Sequence, residues 1–255
     1  MVGRASSVLG LGRERAAALG ALLAALCAWD AFAHSLPAVS DRWDVAIVAV
    51  VLIPATFAVV WLLLPVADTR TALPLAAATA ALAVLLHLGG LTAASNVTKL
   101  LAFALIGFWF LQLFEALSWV VLVAAVIPWV DIASVYRGPT RVVVDEQPGV
   151  FEKIAVAFAL PGEDAAARLG PPDVLFFALF LATAARFELR VAATWIGMTG
   201  ALGLTIVATY IFDLDGLPGL PAIALGFLVP NADLLWRSLR ARDAAAPHPG
   251  PSESD

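Results

Sequence analysis

The sequence predicts an all-α, polytopic transmembrane helical bundle of about eight spans, within a range of seven to nine. Three observations carry that prediction. Hydrophobic residues make up 62% of the 255 positions and charged residues only 14%, against about 25% charged in an average soluble domain. A soluble chain of this size could not hide so much apolar surface, so lipid is the solvent for most of it. The apolar residues also fall into runs near the roughly 20 residues that cross a hydrocarbon core. Finally, the charged residues gather in the breaks between those runs and in one long connection.

Taken in order, the runs at 16–32, 45–66, 72–91 and 100–114 supply four spans. A fifth, 118–135, follows a tight turn around Glu115, because the stretch from Lys99 to Tyr136 is too long for one crossing. Spans six to eight lie at 173–185, 191–212 and 220–236. Residues 1–114 thus form an N-terminal group of helices and 115–236 a second group. The tail, 237–255, carries Pro247, Pro249 and Pro251 among Ser, Glu and Asp and reads as disordered. Arg4, Arg13 and Arg15 precede the first run, which ends in a signal-peptidase-like Ala31-Phe32-Ala33. Trp29 and Asp30 just before it, and the seven later spans, favour a retained anchor over a cleaved signal. Within the long connection from Arg137 to Pro172, an apolar stretch at 154–160 is too short to span. It is expected in the interface or against the bundle.

Charge and cysteine content narrow the function. The net charge of −5 offers no basic surface for nucleic acid. One cysteine, Cys27, excludes intrachain disulfides and thiolate metal sites, and no metal or cofactor is expected. All but two of the 15 basic residues are Arg, and Ala and Val are abundant. That bias fits a GC-rich prokaryotic genome and places the chain in a prokaryotic cell membrane.

The informative residues are acids inside apolar runs, each costing several kcal/mol unless it is paired, protonated or facing water. Asp131 lies near the end of the fifth span and Asp173 at the start of the sixth. Consecutive helices run antiparallel, so both sit on the same side of the bilayer, and packed helices would bring the carboxyls together. Two carboxyls within about 3 to 5 Å cannot both ionise cheaply, so the pair retains one proton. The ionised member can deprotonate a water while its protonated partner polarises a scissile carbonyl. The plainer reading is a helix cap or a snorkelling acid. Asp173, directly after Pro171-Pro172, suits the first turn of a helix; Asp131 has apolar neighbours and fits a cap less well.

The wider motif pattern adds a family. Val130-Asp131 is followed by Arg137-Gly138-Pro139-Thr140-Arg141 and an aliphatic run closing at Asp145. Gly170-Pro171-Pro172-Asp173 opens the sixth span, and Leu217-Pro218-Gly219-Leu220-Pro221 the eighth. In order, spacing and helix context these resemble the presenilins, signal peptide peptidases and their archaeal relatives. Those proteins carry Tyr-Asp, Gly-x-Gly-Asp and Pro-Ala-Leu. The resemblance covers Glu115 to Trp236, roughly half the chain. It implies a presenilin-like bundle and an intramembrane aspartic endopeptidase with Asp131 and Asp173 as its catalytic pair. It also implies Gly170, Pro218, Gly219 and Leu220 at the substrate, transmembrane proteins as substrates, and no cofactor. A substrate helix has its backbone bonded internally, so it must unwind before water attacks. The family implies that the unwound segment is held as an added strand beside Pro218-Gly219-Leu220.

This chain departs from the family at three places. Val130 replaces Tyr, and Pro172 replaces the second Gly, which removes an N–H and fixes φ. Gly219 replaces Ala, a milder change. A cytosolic loop between the aspartates, as in the family, would leave six of the 15 basic residues inside (Arg42, Lys99, Arg137, Arg141, Lys153, Arg168) and nine outside. The positive-inside rule prefers the reverse, so the sequence leaves orientation open.

Two other functional classes stand beside the protease. One is a catalytically degenerate presenilin-like scaffold or binding protein. The other is a small-solute transporter using Asp131 and Asp173, for which inverted repeats would be expected and none is evident. Prepilin peptidases place a Lys after Gly-x-Gly-Asp, and Val174 stands there instead. Asp30 and His87 are expected to make helix–helix hydrogen bonds. Asp213 and Asp215 are expected in an exposed turn, and Arg186, Glu188 and Arg190 in a short turn with Glu188 pairing locally.

Overall fold

The computed structural model describes residues 11–137, 153–163, 166–214 and 217–245. Eight helical rods appear among them, one for each apolar run. They are α1 (Arg13–Phe32), α2 (Asp41–Val66), α3 (Ala72–Leu88), α4 (Thr92–Leu111), α5 (Leu117–Arg137), α6 (Pro171–Arg186), α7 (Val191–Ile211) and α8 (Leu220–Ala245). Five stretches are long and apolar enough to cross a membrane: Arg13–Ser35, Asp41–Val66, Thr92–Leu111, Leu117–Ser134 and Val191–Ile211. Exposed leucines and valines such as Leu85, Leu88, Val126 and Leu204 cover the outside, as expected where the solvent is lipid.

The core is built from phenylalanines where α2, α4, α6 and α8 meet. Phe57 stacks on Phe177 at 3.7 Å between ring centroids, and Phe180 stacks on Phe227 at 4.9 Å. Helix α2 is irregular beside this core. Pro54 has no N–H to return to the preceding turn, and the helix widens to a π turn at Val48–Leu52, with Ile53 N–H bonding Val48 O. The Ala49 carbonyl, released by that shift, faces Gly203 of α7.

Two expectations change and a third gains detail. The stretch 154–160 packs against the bundle, one of the two placements expected, and does so as a strand: β1 (Val156–Ala159) pairs antiparallel with β2 (Ala166–Leu169), with Val156 opposite Leu169 and Ala159 opposite Ala166. Among the described residues the helical bundle therefore carries one two-stranded sheet. Alternation explains it, since Val156, Phe158 and Leu169 are buried while Ala157, Ala159 and Arg168 face away. Helix α4 begins at Thr92 rather than near Leu100. Its polar first half is held by specific partners, as when Ser95 Oγ donates to Ala83 O at 2.8 Å. The tail expected to be disordered from Arg237 stays helical to Ala245. Leu, Arg and Ala are strong helix formers, and Pro247 lies just beyond.

Candidate functional site: two aspartates at helix N-termini

Asp173 is the third residue of α6, whose N-cap is Gly170 and whose first two positions are Pro171 and Pro172. The first N–H groups of a helix have no internal acceptor, so prolines there forfeit nothing. Pro172 at the second helical position thus costs no hydrogen bond. Asp173 turns back on its own cap: Gly170 N–H donates to Asp173 Oδ2 at 3.2 Å. The capping role anticipated for Asp173 is present. It is not the whole role, because the other oxygen reaches a different helix.

That other oxygen rests against Gly219. A Cβ added to Gly219 would lie 2.6 Å from Asp173 Oδ1 and 3.1 Å from its carboxyl carbon. The next residue, Leu220, opens α8, and its N–H donates to Asp131 Oδ2 at 3.0 Å. Asp131 reaches it from the C-terminal part of α5. The two carboxyls therefore converge from separate helices on one dipeptide, Gly219-Leu220. Bond geometry then holds the contacting oxygens within about 10 Å of each other, and Asp173 feels the Asp131 charge. Each carboxyl also meets a helix N-terminus, where orphan N–H groups and the helix dipole favour an anion. That explains how a largely apolar bundle keeps both.

The surroundings divide sharply at the Leu217-Pro218-Gly219 turn. On one side a cavity of about 140 Å³ opens on Asp173 and Gly219, walled by Phe158 and Leu169 of the hairpin and Thr205 and Thr209 of α7. It has room for several waters. On the other side lies a hollow of about 490 Å³ formed by Pro218, Pro221, Ile132, Leu204 and Leu225. Leu204 and Leu225 are 70% and 58% exposed, so this hollow faces lipid. Leu217 borders both spaces.

All six residues singled out from sequence fall here: Asp131 and Asp173 carry the carboxyls, Gly170 and Leu220 donate to them, Gly219 packs on one, and Pro218 lines the hollow. At Gly219 the missing Cβ is what admits Asp173. The run from Gly138 to Asp145 lies outside the described residues, as does Asp215. Asp213 sits in an exposed turn at φ 49°.

Other polar residues find partners that the sequence did not reveal. Asp30 bonds the Ala159 backbone of β1 rather than a helix, and His87 is exposed at the end of α3. Arg190 does not pair within its turn. It forms a two-pronged ion pair with Asp233 of α8, at 2.6 and 2.8 Å. Asn231, fully buried, accepts from Arg190 N–H at 2.9 Å and donates to Thr194 Oγ1 and to Phe227 O. An Asn directly after Pro230 inside an apolar run was the available signal for this second cluster. No protein-family model, curated protein or solved structure matches the chain.

Proposed function

We propose that this protein is a presenilin-like intramembrane aspartyl protease, spanning the membrane eight times, that hydrolyses peptide bonds in transmembrane segments of other proteins. The observation that carries the reading is the convergence of Asp131 and Asp173 on Gly219-Leu220. In this reaction one carboxyl of the pair carries a proton and the other is ionised. A water in the cavity beside Asp173 loses a proton to the ionised carboxylate as its oxygen bonds to the scissile carbonyl carbon. The protonated partner gives its proton to the carbonyl oxygen. Collapse of the resulting diol breaks the C–N bond, with a proton passing to the leaving nitrogen. The lipid-facing hollow at Pro218 and Pro221 suits an incoming helix, and the hairpin beside Asp173 suits its unwound segment. Side chains of α1 and α4 already close β1 along one edge, which directs any strand addition to the β2 side.

A second reading has its own observation. Both aspartates cap helix N-termini, so the dyad would serve structure alone in a scaffold or binding protein. Asp131→Asn and Asp173→Asn separate the two readings, because Asn caps as well as Asp but cannot act as a general base. With purified protein and a model transmembrane substrate in lipid, each variant is expected to fold like the parent and to lose cleavage at least a thousandfold. Equal product from parent and both variants would eliminate the protease.

A further inference from the structure

Among the described residues, strand β1 has a sheet partner on one edge only. Along the other edge, its backbone groups at alternate residues meet side chains from two helices instead of a third strand. Lys99 Nζ donates to Ala155 O at 2.5 Å and to Lys153 O at 3.2 Å. Asn96 reads both backbone groups of Ala157, accepting from its N–H at 2.8 Å and donating to its C=O at 2.7 Å. Trp29 Nε1 donates to Ala159 O at 3.0 Å, and Asp30 bonds the Ala159 backbone beside it. Asp30 and Lys99, both on this edge, attract one another. Residues 155, 157 and 159 point the same way because a strand alternates. The amide of Asn96 therefore occupies the place of a neighbouring peptide unit.

These polar side chains sit in largely apolar helices, where each is costly without a partner. What they hold leads straight to the aspartate. β2 ends at Leu169, which pairs with Val156, and the next residue is Gly170, whose N–H holds Asp173. Phe158, Ala167 and Leu169 also wall the cavity on which Asp173 opens. We propose that Asn96, assisted by Lys99 and Asp30, is a positioning residue that locks the hairpin and through it the Asp173 carboxyl and the walls of its cavity. The inference rests on the protease reading for its catalytic consequence, but not for its structural one.

The test uses the full chain in lipid nanodiscs. Asn96→Leu keeps the size and removes both bonds to Ala157; Asn96→Gln keeps an amide. The expected result is a fall in kcat of at least tenfold in N96L with KM within about threefold, and partial recovery in N96Q. Hydrogen exchange at the amides of Val156–Leu169 and at Gly170 rises in N96L while the helices stay protected. Unchanged kcat, or parent-like exchange at Gly170, overturns the proposal. Should N96L fail to fold, Lys99→Met removes one bond and leaves Asn96 in place. It is expected to deprotect Gly170 to a smaller degree, and a parent-like Gly170 there overturns the proposal equally. If the parent cleaves nothing, the protease reading fails by itself, and exchange at Gly170 still decides whether Asn96 positions Asp173.

Discussion

At the scale of single residues, the site depends on what is absent at Gly219. Asp173 occupies space that any Cβ would claim, and the atom it would meet is a carboxylate oxygen already engaged through its partner oxygen with Gly170. Without a methyl group at this position, the acid of α6 can approach the start of α8. Gly219→Ala is therefore expected to push Asp173 away from the dyad, lowering kcat at least tenfold. Gly219 also serves as the N-cap of α8, accepting from Ile223 N–H at 3.2 Å, a backbone role that Ala retains. Thermal unfolding in detergent should consequently move little. A G219A variant with parent kcat would show that the close approach is incidental. Pro172 illustrates the opposite lesson: a residue that looks disruptive in a motif is harmless once it lies where a helix has no donor to lose.

At the scale of elements, α7 and α8 are joined by polar contacts at one end and, further along, by the close approach of Gly197 and Gly226. Asn231 supplies the acceptor that the first turn of α7 lacks, by taking Arg190 N–H, and it bonds Thr194 one turn later. Both Asn231 and Thr194 are fully buried. Asn231→Leu would strand a backbone donor and a hydroxyl, for an expected loss of about 1–2 kcal/mol, read as a lower unfolding temperature in detergent. The exposed Arg190–Asp233 pair is worth far less, so Asp233→Asn should leave that temperature almost unchanged. The helices themselves were legible because lipid imposes a length and an apolar content that a sequence states openly. The convergence of Asp131 and Asp173 was legible because antiparallel helices place the end of one beside the start of the next. The hairpin was not, since four-residue strands inside a charged connection carry no period long enough to recognise. Asn96 and Lys99 were missed for a related reason. Polar residues at 95–99 read as a break between spans, when their partners lie in a strand about 60 residues further along the chain.

At the scale of the whole molecule, the bundle has two chemically different ends. The hairpin, both site aspartates, Asp30, Asp41 and Asp213 lie at one end, with Arg42, Lys99, Arg137, Lys153 and Arg168 as its cations among the described residues. The starts of α1 and α7, the α2–α3 connection and the C-terminal part of α8 lie at the other, bringing Arg13, Arg15, Arg70, Arg186, Arg190, Arg237 and Arg240 to it. Contacts confirm that those segments share an end: Arg186 donates to Leu111 O, Gln112 to Thr69 O, and Arg190 to Pro230 O. Arg240 stacks on Trp236 at 4.6 Å, an aromatic–cation pair suited to a headgroup layer. Cytoplasmic ends of membrane proteins are enriched in Lys and Arg, and that rule predicts the arginine end in the cytoplasm with the aspartates opening toward the opposite side. That is the reverse of the family placement considered from the sequence, and it would direct cleavage to the outer portions of substrate helices. In a Cys27→Ser background expressed in bacterial cells, Glu163→Cys should react with a membrane-impermeant maleimide in intact cells. Arg240→Cys should react only after the membrane is opened. Labelling in the opposite pattern would return the aspartates to the cytoplasmic side and would mean that the arginines are placed by packing against α8 and by lipid contacts rather than by the insertion rule.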